Sequence, residues 1–284
     1  MAFLSYLIGG LGLGSVYAII ALGYSMVYGI AKMLNFAHGD VIMVGAFVAY
    51  FALSSFGLPT IVALILSVVA CTVLGIVVEK LAYKPLRGAS SLSVLITAIG
   101  VSYFLQNAAM LMWGTDTKIF PTILEGSLTI GELSIPYLTC IVIMVVLTMF
   151  INKTKTGRAM RACSEDKGAA SLMGINVNQI ISITFAIGSG LAAIAAVLLC
   201  ATYPSVYPTL GSMPGIKAFT AAVLGGIGSI PGAFLGGLLL GVIENLARAY
   251  ISTQLSDAIV FMVLIVILLI KPTGLLGKKV NVKV

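Results

Sequence analysis

The sequence predicts an all-α polytopic membrane protein, a helical bundle of about eight or nine transmembrane segments that forms one domain over residues 1–284. First, 60% of the residues are hydrophobic and only 9% are charged, whereas a soluble domain carries about 25% charged residues. Second, apolar runs of roughly 20 residues, the length of a transmembrane helix, recur from end to end. Third, glycine contributes 31 residues, which suits helices packed closely in lipid. A water-soluble globule and a disordered chain are both excluded.

Hydropathy divides the chain into spans. Six runs are clear, at residues 4–30, 59–78, 92–113, 134–151, 178–202 and 257–270. Residues 36–54 are apolar but open with a polar cluster. Residues 214–247 are too long for one span and are interrupted by Gly and Pro at 225–232, which predicts two short helices meeting at a break. Because the first Lys is Lys32, the first span lacks the basic flank of a signal peptide, and we expect it to be retained.

The basic residues predict an orientation with the N-terminus outside and the C-terminus in the cytoplasm. Of the 16 Lys and Arg, 13 are Lys32 or lie in segments 79–91, 152–177 and 271–284, and basic loops face the cytoplasm. The other three basic residues, Lys118, Lys217 and Arg248, are assigned to the opposite loops. Four acidic residues are assigned there as well: Asp116, Glu125, Glu132 and Asp257. The net charge of +7 is therefore a topology signal that requires no nucleic-acid partner.

Motifs for catalysis are missing from the sequence. It contains no phosphate-binding loop, no dinucleotide-binding glycine pattern and no paired-histidine metal motif, and it has one histidine. Its four cysteines, Cys71, Cys140, Cys163 and Cys200, lie far apart, which favours apolar filler over a disulfide or zinc site. We therefore predict a protein that is not an enzyme, with no catalytic residue, metal or cofactor.

A polar cluster at residues 35–40 is the first candidate functional feature. It consists of Asn35, Phe36, His38, Gly39 and Asp40 at the start of an apolar run. Two interpretations are open: an interfacial cap between two spans, with Asp40 as the N-cap of a helix that begins after Gly39, or a broken helix beside a transport pathway.

A row of glycines is the second feature. Gly228, Gly232 and Gly236 are four residues apart, with Gly241 beyond them, and this spacing favours close helix packing over substrate contact. The run from Gly39 to Phe47 also loosely resembles the run from Gly228 to Phe234. This similarity suggests a two-fold internal repeat, which is frequent in transporters.

The segment at residues 156–176 is the third feature. Its apolar and charged residues separate partly onto two faces, and Gly157 and Gly174 bracket it, which predicts one short amphipathic helix. Such a helix either lies in the lipid interface or docks into a groove on a partner. The acidic residues in its middle favour docking.

Five segments together resemble the membrane-spanning permease subunit of bacterial branched-chain amino acid ABC importers, specifically its LivH type. They are residues 35–46 (NFAHGDVIMVGA), 83–87 (YKPLR), 96–107 (ITAIGVSYFLQN), 157–178 (GRAMRACSEDKGAASLMGINVN) and 217–236 (KAFTAAVLGGIGSIPGAFLG). The resemblance implies a multi-pass protein of the bacterial inner membrane. It also implies a second permease of LivM type, two cytoplasmic ATPases of LivG and LivF type, and an extracytoplasmic binding protein that delivers Leu, Ile or Val.

The resemblance also implies residue roles. Residues 157–176 correspond to the coupling helix that meets the ATPase, although the three residues between Glu165 and Ala169 depart from the Glu-Ala-Ala…Gly pattern of ABC permeases. The coupling candidates are Arg158, Arg161, Glu165, Asp166, Ala169, Ala170, Met173 and Gly174. Residues that flank the pathway are Asn35, Phe36, His38, Gly39, Asp40, Gly226, Gly228 and Ser229, and Gly232, Gly236 and Gly241 pack helices.

Other functions stay open at this point. Related importers carry urea, short amides or other amino acids. A stand-alone secondary transporter belongs to a different class, and such proteins usually place titratable groups at mid-membrane, which the clear spans here contain sparsely. A channel requires rings of like charge or a carbonyl filter, and neither is legible in the sequence.

Overall fold

A computed structural model describes residues 2–123 and 134–277. The helices are α1 (Ala2–Ala31), α2 (His38–Ser54), α3 (Thr60–Val78), α4 (Ser91–Trp113), α5 (Ser134–Lys153), α6 (Lys155–Glu165), α7 (Lys167–Leu172), α8 (Val177–Thr202), α9 (Ser212–Gly225), α10 (Ile230–Tyr250) and α11 (Ser256–Ile270). A π turn (Glu79–Tyr83) and a 3-10 turn (Lys84–Leu86) continue α3. Strands β1 (Lys118–Ile119) and β2 (Ser205–Val206) pair antiparallel. The predicted Glu125, Glu132, Lys278, Lys279 and Lys283 lie outside the described residues.

Six described helices are long and apolar enough to cross a membrane: α1, α3 with its extension, α4, α5, α8 and α10. The helices α2 and α11 are apolar but shorter. The prediction of an all-α polytopic membrane protein is therefore confirmed.

The prediction for residues 214–247 was partly wrong: the break exists at 226–229, but only α9 is short, and α10 has 21 residues. Pro231 stands in the first turn of α10, where a missing N–H costs nothing.

The central element is α1, in which every residue from Leu13 to Val27 is buried. It packs antiparallel against α10, with Gly10 beside Val242, Gly14 beside Leu238 and Ala18 beside Gly237, while Gly29 lies beside Gly228 in the turn before α10. A Cβ built on Gly241 would lie 2.2 Å from the Cα of Gly14. Glycine is therefore required for the two backbones to approach this closely.

The first four helices and the last four pack in matching patterns. In this match α1, α2, α3 and α4 correspond to α8, α9, α10 and α11. Thus α1 pairs with α10 as α8 pairs with α3, and α2 packs against α3 and α8 as α9 packs against α10 and α1. The last pair follows the same rule, because α4 touches α2 as α11 touches α9. The C-terminal end of α1 and the N-terminal end of α8 lie at the same end of the bundle, so the two halves are inverted. The sequence similarity between residues 39–47 and 228–234 aligned α2 with the start of α10. The packing instead matches α2 with α9, so that alignment was in the wrong register.

Most of the described basic loop residues gather at one end of the bundle, which we call the basic end. There Lys167 contacts the end of α1, Arg87 contacts the start of α8, and the segment after α11 bonds to the end of α9 through Leu275 N–H and the Leu224 carbonyl at 2.9 Å. The β1–β2 pair and the α10–α11 turn lie at the opposite end. Which end faces the cytoplasm stays a prediction.

Replacing Gly241 with Ala is expected to destabilise the fold by about 1–3 kcal/mol, because the new methyl group has no space beside α1. Gly100→Ala is the matched control: it is also helical, but a Cβ there meets nothing within 4 Å, so the better helix propensity of Ala leaves stability equal or higher. Thermal unfolding of the purified chains in detergent measures both. Equal shifts in the two variants would contradict the packing interpretation.

Candidate functional site

Two short helices begin against each other inside the bundle, and we call this place the half-helix junction (residues 35–40 and 211–215). A Cβ built on Gly39 would lie 2.5 Å from the carbonyl oxygen of Gly211, and one built on Gly215 would lie 2.9 Å from the Cα of Gly39. The first turns of α2 and α9 are thus in backbone contact. Because the first N–H groups of a helix have no partner within it, this junction is a locally polar spot within an apolar bundle.

The residues before α2 are held in place by α1, α3 and α9. The buried hydroxyl of Tyr83, in the π turn, donates to Asn35 Oδ1 at 2.8 Å. Phe36 packs on Phe219 of α9 with ring centroids 5.4 Å apart. His38 lies edge-on to Tyr24 at 4.6 Å, and its Nε2 is buried with no hydrogen-bond partner among the described residues.

Asp40 does not act as the predicted N-cap, because α2 begins at His38 and its N-cap is Ala37. The Asp40 carboxylate lies in the first turn, where a negative charge suits the helix dipole, and it accepts a hydrogen bond from Gln106 Nε2 of α4 at 2.9 Å. The same amide nitrogen lies 3.3 Å from Ser212 Oγ, at the start of α9. One side chain of α4 thereby connects the starting turns of both short helices.

The second predicted pathway motif lies elsewhere, in the turn between α9 and α10. Gly226 and Gly228 have φ values of +106° and +91°, which glycine adopts without strain. Gly228 N–H donates to Ser25 Oγ of α1 at 2.8 Å, and Ser229 caps α10 by accepting from Gly232 N–H at 3.2 Å. This turn lies against the end of α1 beside Gly29, away from the Gly39–Gly211 contact. The structure therefore does not bring the two predicted motifs into one site.

All three glycines of the predicted packing row lie close to a neighbouring helix. Gly232 and Gly236 lie against α9, where a Cβ on Gly236 would approach the Ala221 carbonyl oxygen to 2.1 Å. Gly241 lies against α1.

The segment predicted as one amphipathic helix is divided into α6 and α7. Asp166 ends α6 and caps α7, accepting hydrogen bonds from Gly168 N–H at 2.7 Å and Ala169 N–H at 3.0 Å. Asp166 thus caps a helix, whereas the sequence interpretation treated it as a charge that docks onto a partner. Gly174, with φ of +82°, ends the segment, and Ile175 N–H bonds back to the Ala170 carbonyl at 3.1 Å, as in a Schellman motif.

Burial divides the coupling candidates into two groups. Ala170 is only 3% exposed, so it packs against the bundle and is not available for the ATPase contact that the resemblance implied. Leu172 and Met173 are 90% and 83% exposed, and they form the apolar tip of the segment. The polar and small candidates around them are also exposed: Arg158, Arg161, Glu165, Asp166, Ala169 and Gly174.

The α6–α7 segment is fixed to the bundle through each of its two helices. Near its start, a Cβ built on Gly157 would lie 2.4 Å from the Cα of Ile151, and Arg161 donates to Asn152 Oδ1 at 2.7 Å. In α7, Lys167 Nζ donates to the carbonyl of Ala31 at 2.6 Å, placing a cation at the C-terminal end of α1. Partial burial, with the charges of Arg87 and Lys32, lowers the pKa of Lys167. The segment is therefore tied to the helix that leads into the junction.

A buried charge cluster is a feature that the sequence interpretation missed. Lys217, which we assigned to a loop, lies inside α9, and its Nζ is 2.8 Å from Glu244 Oε1 of α10 and 2.6 Å from Asp257 Oδ1 of α11. Arg248 pairs with Glu244 one turn later. Lys217 and Glu244 are isolated charges in the long apolar run 214–247, so hydropathy alone passes over them. No spacing in the sequence marks Lys217 and Asp257 as partners.

The family model for the permease component of the branched-chain amino acid transport system matches residues 6–268. The chain belongs to this family. It is 48% identical to the high-affinity branched-chain amino acid transport system permease protein BraD of Pseudomonas aeruginosa, over 97% of this chain and 96% of BraD. It is 44% identical, with the same coverage, to LivH of Escherichia coli K12. It is 28% identical to a probable LivH of Methanocaldococcus jannaschii, over 93% and 89% of the two chains.

This member of the branched-chain amino acid permease family therefore presents two candidate sites. The half-helix junction lies within the bundle, and the α6–α7 segment lies at its basic end. Lys167 joins them through α1. Among residues 2–123 and 134–277, no group of His, Cys, Asp and Glu could hold a metal ion.

Proposed function

We propose that this chain is a membrane-spanning subunit of an ATP-driven importer that translocates Leu, Ile and Val delivered by an extracytoplasmic binding protein. One observation carries the proposal: the near full-length relation to BraD and LivH, both named as branched-chain amino acid permeases. The sequence itself holds no nucleotide-binding motif, so the energy source is a separate subunit. Import of urea, short amides or other amino acids, and action as a stand-alone secondary transporter, are not favoured by these relatives.

The proposed assembly contains four kinds of partner. They are a second permease of LivM type, two ATPases of LivG and LivF type at the basic end, the extracytoplasmic binding protein, and the lipid of a bacterial inner membrane. The basic end faces the cytoplasm in this proposal, with the N-terminus outside, because the sequence pattern assigns 13 of the 16 basic residues to that side.

Reconstitution tests the function directly. The vesicles contain both permeases and both ATPases, with ATP inside and the binding protein outside. They are expected to accumulate labelled leucine. Unlabelled isoleucine and valine should compete, and urea should not. Vesicles that lack the ATPases are the control. Uptake that persists in this control, or that urea suppresses and valine does not, would contradict the proposal.

The α6–α7 segment is the proposed contact with the ATPases. Its exposed apolar tip, Leu172 and Met173, resembles the apolar anchors that carry most binding energy at interfaces, and exposed charges such as Arg158 and Glu165 resemble a rim that sets encounter and register. The tether from Lys167 to α1 supports a path by which force on the segment reaches the junction.

Changing Leu172 and Met173 together to Ser is expected to reduce recovery of the ATPases with the permease on the order of tenfold, since two apolar anchors are lost. Glu165→Lys should have a smaller effect that depends on salt. Ile119→Ser, at an equally exposed residue of the opposite end, is the matched control. Co-purification with each variant measures the effect; a greater loss for the control would reject the assignment of this surface.

The half-helix junction is the proposed lining of the pathway. Asp40, Gln106 and Ser212 satisfy one another in the present arrangement. Separation of α4 from the two short helices would free a carboxylate for the ammonium group of an amino acid. It would also free the Ser212 hydroxyl for the carboxylate of the substrate.

Asp40→Asn keeps the size of the side chain and removes its charge. Leucine uptake is expected to fall on the order of tenfold, the worth of one charge-assisted hydrogen bond, with normal assembly. Asp116→Asn, in an exposed loop, controls for the loss of a carboxylate. The initial uptake rate in reconstituted vesicles is the readout, and a rate equal to that of the parent would remove Asp40 from the pathway.

A further inference from the structure

The helix α4 is poorly covered by the rest of the described chain. Of its 23 residues only Val94, Ala98 and Ala109 are buried, and its main contacts are with α2 and the π turn. One side of α4 therefore belongs to the bundle, and the remainder meets either lipid or another protein.

The composition of that outer side separates α4 from its neighbours. One stripe of exposed residues, at spacings of four or three, consists of Ile96, Gly100, Tyr103, Asn107 and Leu111. The exposed residues beside this stripe, Leu92, Ile99, Phe104 and Met112, are large and apolar. A glycine, a tyrosine and an asparagine stand in the central part of the stripe, where a lipid-facing helix would carry large apolar side chains. The exposed residues of α3 between 61 and 77, and of α5 between 138 and 149, are all Ile, Val, Leu or Met.

Asn107 is the residue that lipid would suit least. Its Nδ2 donates to the Tyr103 carbonyl at 2.8 Å, and an amide can form several further hydrogen bonds. Hydrocarbon offers none of these, whereas a neighbouring helix does. Gly100 lies one turn from Tyr103, and a Cβ there would meet nothing within 4 Å. The present chain thus gives no reason for a glycine at that position.

We propose that this stripe of α4 is the surface that contacts the second permease subunit, a proposal that rests on the proposed importer function. The contacting element is a transmembrane helix that packs closely over Gly100 and offers a hydrogen-bonding group to Asn107. The position supports this partner, because the residue beside Asn107, Gln106, reaches inward to Asp40 and Ser212. An interface on α4 therefore borders the half-helix junction, and a pathway between the two permeases would have the junction as its wall.

Site-specific photo-crosslinking in the complete importer tests this surface. A benzophenone amino acid replaces Tyr103, which is 63% exposed, and in matched controls it replaces Val73 of α3 or Val146 of α5, which are 55% and 60% exposed. The expected result is an adduct with the second permease from position 103, and lipid adducts alone from positions 73 and 146. Lipid adducts alone from 103, a permease adduct from 146 in its place, or an adduct with a second copy of this chain would each overturn the proposal.

Two substitutions give an independent readout. Gly100→Leu should leave the isolated chain folded and reduce recovery of the second permease. Val146→Leu should leave both the folding of the chain and the recovery of the second permease unchanged. Asn107→Leu should weaken recovery about threefold, the typical value of one hydrogen bond between membrane helices. Normal recovery with Gly100→Leu and Asn107→Leu would also overturn the proposal.

Leucine uptake and co-purification, measured in the same cells, separate the two proposals. If ATP-driven uptake is intact and position 103 reaches only lipid, the interface is wrong and the importer function stands. If leucine uptake needs no second permease and none co-purifies with the parent chain, the importer function fails, and the α4 interface fails with it.

Discussion

The backbone contact between α1 and α10 is the constraint on which the rest of this structure depends. Lipid offers little hydrophobic driving force between helices, so close van der Waals contact has to hold them together. Glycines on both helices permit that contact along much of their length. With the middle of α1 buried at the centre, the short helices α2 and α9 meet at their first turns. There α2 packs against α3 and α8, and α9 packs against α1 and α10, so protein covers both.

Covering by protein matters for α2 and α9, because a helix that begins within the bundle leaves N–H groups without partners in its own first turn. At the junction, carbonyls of the turn before each helix accept several of these N–H groups, as Asn35 does from His38 and Thr209 from Ser212. Two glycine-rich starts lie against each other, and one glutamine from α4 bonds to polar side chains of both. In this arrangement the polar side chains of the junction are bonded to one another. Because the bonds run to the peripheral helix α4, movement of α4 alone would leave Asp40 and Ser212 without these partners.

The sequence predicts the spans well because hydropathy reports length and composition, and those decide which segments can cross a membrane. It also locates the break at 226–229 and the cluster at 35–40, since Gly, Pro and polar residues interrupt apolar runs in a recognisable way. The sequence also predicts a short helix before this break, yet it assigns Lys217 to a loop, because a charge near a glycine-rich break resembles a loop residue. Ala170 and Asp166 were misassigned for a related reason: periodicity indicates an amphipathic face, but it does not show which face the bundle itself covers or where a side chain caps a new helix.

The cluster of Lys217, Glu244 and Asp257 has a consequence for the way this protein enters the membrane during synthesis. The helix α9 has 14 residues and carries a lysine whose two carboxylate partners lie on α10 and α11. A lone ammonium group in hydrocarbon is costly, so α9 is a poor substrate for insertion by itself. Its neutralising charges leave the ribosome only later. We therefore expect the last three helices to enter the bilayer as one group, with the order of synthesis as part of the folding pathway.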